Sequence, residues 1–70
     1  MQVVVNGTRQ DVPPGMNLSQ LLDRLKVQPE RVAVEVNLKI IHRQRYNQVP
    51  LNEGDQIEII GFVGGGSSCR

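Results

Sequence analysis

One amphipathic helical segment, with short β-type runs on both sides of it, constrains the fold of this chain more than any other feature. Its apolar positions recur at the spacing of a single helix face. They are Leu18, Leu21, Leu22 and Leu25. Asn17 and Gln20 form a capping-box pattern at its start, and Pro29 predicts that the helix stops by Val27 or Gln28. The chain therefore has one helix with one apolar face to bury.

Five runs rich in β-branched residues surround this helix. They span residues 2–6, 8–12, 31–37, 39–41 and 56–63. Asn6-Gly7 separates the first two runs, and because both residue types accept the positive φ of a type I′ turn, the sequence predicts a β-hairpin there. Asn37-Leu38 makes a second tight connection, and residues 42–49 are expected to form a loop with one helical turn. This order predicts an α+β fold of the β-grasp type, a mixed sheet of four to five strands with one main helix packed on one face.

The length of 70 residues allows one small domain. We expect residues 1–63 to form the β-grasp domain. Residues 64–70, rich in glycine and serine, cannot bury apolar surface and are predicted to form a flexible C-terminal tail that carries a Gly-Gly motif. A core this thin leaves little room for a deep pocket lined with catalytic groups, so the chain is not expected to be an enzyme.

Charge and composition argue against several classes of binding protein. Eight Lys and Arg against seven Asp and Glu give a net charge of +1, and only one Tyr and one Phe are present, so nucleic-acid binding is not expected. Cys69 is the only cysteine and His42 the only histidine, so neither a disulfide framework nor a metal site is expected. The sequence has no signal-peptide pattern and no long apolar run, which predicts a cytoplasmic protein without a membrane partner.

The last β-type run predicts a docking surface. One of its two faces starts polar and turns apolar at Ile60 and Phe62. Exposed apolar side chains beside a flexible terminus suit binding to a partner protein. The predicted partner-binding residues are Ile60, Phe62, Val63 and Gly64. The alternative is that the loop residues Tyr46 or Leu51 cover these side chains.

A basic stretch, His42-Arg43-Gln44-Arg45, follows the short fourth run. Two arginines without further basic residues around them are weak support for a binding site, which favours a solvated turn. The alternative is a contact at the rim of an interface with an acidic partner protein.

Five stretches of the sequence resemble one known family. They are VVVNG at the start, NLSQLLDRL in the helix, VAVEVN, LNEGDQIEII and FVGGG. Over residues 1–66 the chain resembles the ThiS family, the ubiquitin-like sulfur carrier proteins of thiamine (thiazole) biosynthesis. The molybdopterin-synthase small subunit and the carriers of cysteine biosynthesis share the layout and the diglycine. The compact VxVN…GDxIEI pattern favours the thiazole branch.

This resemblance implies that the working group is the carboxylate of Gly66, which follows Gly65. A ThiF-like adenylating enzyme would use ATP to convert that carboxylate into an acyl-adenylate, so the carrier itself would bind no cofactor stably. A sulfur donor of the cysteine desulfurase type would then replace AMP and leave a C-terminal thiocarboxylate, from which thiazole synthase takes the sulfur. Glycines suit such an arm because they have no side chain to clash in a narrow channel.

The chain departs from the family pattern after the glycines. Ser67-Ser68-Cys69-Arg70 follow Gly66, whose carbonyl is therefore part of an amide. We expect a tail-processing protease to remove residues 67–70, with cleavage after Gly65 as the other register. Three alternatives stay open: a persulfide on Cys69, transfer of sulfur to molybdopterin or cysteine synthesis, and a ubiquitin-like module that binds partners non-covalently or is joined to lysines.

Overall fold

The structure is a computed structural model, and it describes residues 1–61. Five strands and one α-helix form a single sheet with the helix on one face. The elements are β1 (Gln2–Val5), β2 (Thr8–Asp11), α1 (Leu18–Arg24), β3 (Val32–Val36), β4 (Lys39–Ile41) and β5 (Gln56–Gly61). The strand order is β2-β1-β5-β3-β4, in which only β1 and β5 are parallel. The predicted mixed sheet with one packed helix is thereby confirmed, whereas the tail at 64–70 and the domain limit at residue 63 lie outside the described residues.

The first hairpin forms as the sequence predicts. Asn6 has a φ of 50° and Gly7 a φ of 83°, so both turn residues have the left-handed backbone of a type I′ turn. In the antiparallel ladder that follows, Val5 pairs with Thr8 and Gln2 with Asp11. The hairpin therefore places β2 at the edge of the sheet and β1 beside the central strand β5.

Helix α1 begins at the predicted cap and ends within the predicted limit. The Asn17 side chain accepts a hydrogen bond from the Gln20 N–H at 2.8 Å, and Gln20 Oε1 accepts one from the Asn17 N–H at 2.9 Å. The helix stops before the predicted limit at Val27 or Gln28, because Lys26 adopts a φ of 59° and leaves the helix. Its N–H donates to the Asp23 carbonyl, and the Val27 N–H donates to the Leu22 carbonyl. These two bonds are a Schellman motif, formed here without the usual glycine.

The core lies between α1 and the sheet. Its buried side chains come from one face of the helix, from alternate strand residues, from the residue that follows β2 and from two residues that follow β4. They are Val3, Val5, Val12, Leu18, Leu21, Leu22, Val34, Val36, Tyr46, Leu51 and Ile57. Tyr46 and Leu51 thus pack on the helix side of the sheet. Neither covers Ile60 on the opposite face, and Ile60 is half exposed.

The second hairpin and the loop after it also agree with the sequence. Asn37 and Leu38, with φ of 52° and 71°, join β3 to β4 in a tight turn. The predicted single helical turn is a 3₁₀ helix at Arg43–Gln48, and a shorter one at Pro29–Arg31 precedes β3.

Candidate functional site

Strand β5 is the element that would present the glycine-rich sequence, because that sequence follows it directly in the chain. It is the central strand and pairs on both sides. Five of its residues pair with β3, from Val36 opposite Ile57 and continuing to Val32 opposite Gly61. On the other side its first two residues pair with β1. The strand therefore has little freedom to move relative to the sheet.

Asparagine side chains extend these ladders at both ends of β5. At the start, the Gln56 N–H donates to Asn37 Oδ1 at 3.0 Å, and the Asn37 N–H donates to the Gln56 carbonyl at 2.7 Å. Farther along, the Ile59 N–H donates to Asn6 Oδ1 at 2.7 Å, and Asn6 Nδ2 donates to the Ile59 carbonyl at 3.3 Å. The Asn6 side chain thus continues the hydrogen bonding to β5 beyond the point where strand β1 ends. The strand is held on both sides up to two residues before the last described position.

The face of the sheet opposite α1, which we call the open face, carries Ile60. Among residues 1–61, Ile60 is the only one that the sequence predicted to bind a partner. Ile60 has 50% of its surface exposed. Its cross-strand neighbour is Ala33, and Ile40 on β4 lies on the same face with 72% exposed. The other predicted partner-binding residues, Phe62, Val63 and Gly64, and the predicted reactive glycines, Gly65 and Gly66, lie outside the described residues.

Two carboxylates stand between these apolar side chains. Glu58 on β5 is directly opposite Glu35 on β3, and Glu35 is in turn opposite Ile40 on β4. Glu58 is exposed and Glu35 is half buried. Sequence reasoning did not single out this pair, since it depends on the register between two strands that are more than twenty residues apart. The alternation of polar and apolar residues indicates which side chains of each strand are exposed. Only the register between β3 and β5 shows that Glu35 and Glu58 are opposite each other.

Basic side chains lie along the adjacent edge. Lys39, His42, Arg43 and Arg45 are all exposed, as expected for a solvated turn. Within residues 1–61 the only ion pair joins the Met1 ammonium group to Asp11 at 3.7 Å. The part of the chain that the structure describes also contains no helix long and apolar enough to span a membrane and no cluster of three candidate metal ligands.

A one-helix, five-stranded β-grasp body whose central strand leads into consecutive glycines defines a class of protein, the small ubiquitin-like carriers. The match to a family model narrows this class. Residues 3–66 match the model of the ThiS family, and this range reaches the last of the three glycines. The chain belongs to the ThiS family of sulfur carrier proteins, and the resemblance found in the sequence is confirmed.

Relatives of known name support the same assignment. The chain is 43% identical over 67 residues to a thiazole synthase of Paramagnetospirillum magneticum, a match that covers 96% of this chain but only 21% of that relative. It thus spans about a fifth of the length of that synthase. It is also 43% identical over 49 residues to the sulfur carrier protein ThiS of Bacillus subtilis, covering 70% of this chain and 74% of the relative.

A solved structure shows the same fold. The crystal structure of the thiamine biosynthesis protein ThiS from Geobacter metallireducens superposes with a TM-score of 0.82 at 36% identity. The alignment covers 94% of this chain and 100% of that one. The ubiquitin-like β-grasp topology that the sequence predicts is therefore confirmed.

Proposed function

We propose that this protein carries sulfur as a thiocarboxylate on Gly66 and donates it for thiazole formation in thiamine biosynthesis. The observation that supports this most strongly is the family match, which extends through the glycines to residue 66. The structure supports it further, because the strand that precedes these glycines is the central, doubly paired strand of the sheet. The body offers a partner a fixed surface, and the glycines supply the reacting group.

The proposed chemistry takes place at one carbonyl carbon. A Gly66 carboxylate oxygen attacks the α-phosphorus of ATP, and pyrophosphate leaves, which gives the acyl-adenylate. The terminal sulfur of a persulfide on a cysteine desulfurase-type donor then attacks the carbonyl carbon; a C–S bond forms and the C–O bond to AMP breaks, which gives an acyl disulfide. A thiol of the donor then attacks the donor-side sulfur, the S–S bond breaks with formation of a new disulfide, and the thiocarboxylate is released. The carrier is a co-substrate in each step, and an adenylating enzyme similar to ThiF supplies the groups that bind ATP.

The geometry limits how far the reacting carbon can lie from the docked body. Gly66 is five residues beyond Gly61. A fully extended chain spans at most about 3.6 Å per residue, so the arm beyond Gly61 reaches at most about 18 Å. Partners must therefore bind the body close to their own active sites. Binding energy from the body can then position the reacting carbon, which favours reaction through proximity.

Thiazole synthase is the proposed acceptor of the sulfur. In the relative from Paramagnetospirillum magneticum, a segment similar to nearly all of this chain is part of a protein named thiazole synthase. That arrangement supports a direct association between the carrier body and the synthase. The need for ATP and for reduced sulfur favours a cytoplasmic location.

The reaction requires a free carboxylate on Gly66. Because Ser67 follows Gly66, the bond between them must first be hydrolysed, and we assign this step to a protease that removes residues 67–70. Cleavage after Gly65 would give an arm shorter by one residue. Mass spectrometry of the endogenous protein distinguishes the two registers directly.

Intact-mass measurement tests the whole proposal. The chain ending at Gly66 is incubated with ATP, the adenylating enzyme of its own organism and a sulfur donor, and we expect a mass gain equal to the exchange of one oxygen for sulfur. The chain ending at Arg70 is the matched control and should not react. Deletion of Gly66 should abolish the mass gain and leave thermal unfolding unchanged. A chain ending at Gly66 that is adenylated but never gains sulfur would contradict the proposal.

A further inference from the structure

Strand register places the like charges of Glu35 and Glu58 on adjacent strands of the sheet. The two residues are directly opposite each other on β3 and β5, and like charges in that arrangement are unfavourable. No lysine or arginine among residues 1–61 forms an ion pair with either carboxylate. Lys39, Arg43 and Arg45 are exposed and likewise form no ion pair within the described part of the chain. The fold therefore places two negative charges side by side without a described cation to balance them.

Apolar side chains border this pair on the open face. Ile40 is opposite Glu35 on the edge strand, and Ile60 comes two residues after Glu58 on the central strand. Both isoleucines are largely exposed, at 72% and 50%. Ala33, opposite Ile60, adds a small apolar contact. When a partner covers such a border, water is excluded and a cation placed between the carboxylates interacts with them more strongly.

We propose that the open face binds thiazole synthase through an arginine of the synthase that bridges Glu35 and Glu58, with aliphatic side chains of the synthase packing on Ile40 and Ile60. This inference rests on the proposed function and specifies the partner of the same carrier body. Arginine fits better than lysine, because its planar guanidinium has five donors and can bond two carboxylates at once. The relative in which a similar segment is part of a thiazole synthase favours the synthase as the occupant.

This contact would also orient the arm. Glu58 is three residues before Gly61 on a strand that is paired on both sides. An arginine that bridges two strands fixes both the position of the body and its rotation about the sheet normal. The direction in which β5 leads into the glycines is then set relative to the synthase active site.

The test measures binding of the whole chain to purified thiazole synthase of the same organism, at low and at high salt. We expect Glu58→Gln to weaken binding about tenfold or more, and to reduce its salt dependence. Glu30→Gln is the matched control, since it changes the net charge equally at an exposed position in the 3₁₀ turn that precedes β3, outside the strands of the sheet. Equal affinities for these two variants would overturn the proposal.

Stability measurements separate binding from folding. Because Glu58→Gln removes a like-charge repulsion, its melting temperature should equal or exceed that of the wild type. A second readout is amide hydrogen exchange in the wild-type complex, where protection should increase at Ile40 and Ile60. Protection confined to α1 would overturn the proposal, as would a concentration-dependent dimer of the chain that Glu58→Gln dissociates.

Sulfur loading distinguishes failure of this inference from failure of the proposed function. Thiocarboxylate formation on a chain ending at Gly66 is followed by intact mass for the wild type and for Glu58→Gln. Normal loading of both with weak synthase binding by the variant supports the inference. If the wild type never loads, the proposed function fails while the binding comparison still stands. If the variant binds the synthase normally but is not loaded, the carboxylate pair serves the adenylating enzyme, and the inference is wrong.

Discussion

The side-chain amide of Asn37 donates a hydrogen bond of 3.0 Å to the buried carboxylate of Asp55. The other carboxylate oxygen accepts one from the Asn52 N–H at 2.8 Å. Since Asn37 Oδ1 accepts from the Gln56 N–H at 3.0 Å, this carboxylate orients the asparagine that extends the ladder of β5. Asp55 therefore links the β3–β4 hairpin to the turn that begins the presenting strand.

Replacing that carboxylate should destabilise the fold. Asp55→Ala removes the acceptor of two partly buried hydrogen bonds, and we expect the free energy of unfolding to fall by about 1 kcal/mol. Urea denaturation measures the change. Asp23→Ala is the control, because it removes an exposed carboxylate from α1. Similar small losses for both variants would show that the Asp55 hydrogen bonds contribute little.

The helix cap makes a second stability prediction. Asn17→Ala removes the acceptor of the Gln20 N–H and the 3.3 Å bond from Asn17 Nδ2 to the Asn47 carbonyl. We expect a loss of about 1 kcal/mol in the free energy of unfolding. Asn17→Asp retains the accepting oxygen and should recover most of it. An aspartate variant as unstable as the alanine variant would contradict the capping explanation.

Tyr46 predicts how stability depends on pH. Burial raises the pKa of its hydroxyl above the ordinary value of 10.0, and nearby Arg43 offsets part of this shift. The folded state therefore retains the proton at pH values where the unfolded chain loses it. This contribution to stability is complete below the unfolded pKa and decreases as pH rises above 10.0 through the folded pKa.

The measurement is the free energy of unfolding below and above pH 10.0. The wild type should lose more stability across this range than Tyr46→Phe, which cannot ionise at that position. The two proteins differ only at residue 46, so the difference between the two curves isolates the contribution of Tyr46. Parallel curves would show that the tyrosine does not contribute.

Local sequence signals predicted the helix and the strands, but they did not predict the contacts between elements that are far apart in the chain. Asn6-Gly7 and the Asn17 cap depend on residues close in the chain, so both were predicted correctly. The sequence set a limit for the end of α1 but not its exact position, because Lys26 adopts a left-handed backbone that is usual for glycine. The Glu35–Glu58 pair depends on strand register, which single-sequence periodicity leaves open.

Ile60 tests the predicted docking surface. Because half of its surface is already exposed, Ile60→Ala should cost little stability. If the side chain contacts the adenylating enzyme, the same change should weaken that binding by about 1 kcal/mol or more. Leu38→Ala is the control, since Leu38 is 89% exposed and lies at the opposite end of β5 from the glycines. Equal effects of the two variants on affinity would place the interface elsewhere.

Leu38 itself makes the last prediction. Its φ of 71° is unfavourable for a residue that has a Cβ atom, and because the side chain is 89% exposed, no burial offsets the strain. Leu38→Gly should therefore stabilise the β3–β4 hairpin by about 0.5 kcal/mol. The substitution relieves the backbone strain, but glycine loses more conformational entropy on folding than leucine does, so the two effects partly cancel. The first hairpin provides the reciprocal control, because Gly7→Leu introduces the same strain at a φ of 83° and should destabilise by about 1 kcal/mol. Denaturant unfolding measures the stability of both variants. If Leu38→Gly is less stable than the wild type, the leucine side chain stabilises the turn through contacts that outweigh its backbone strain.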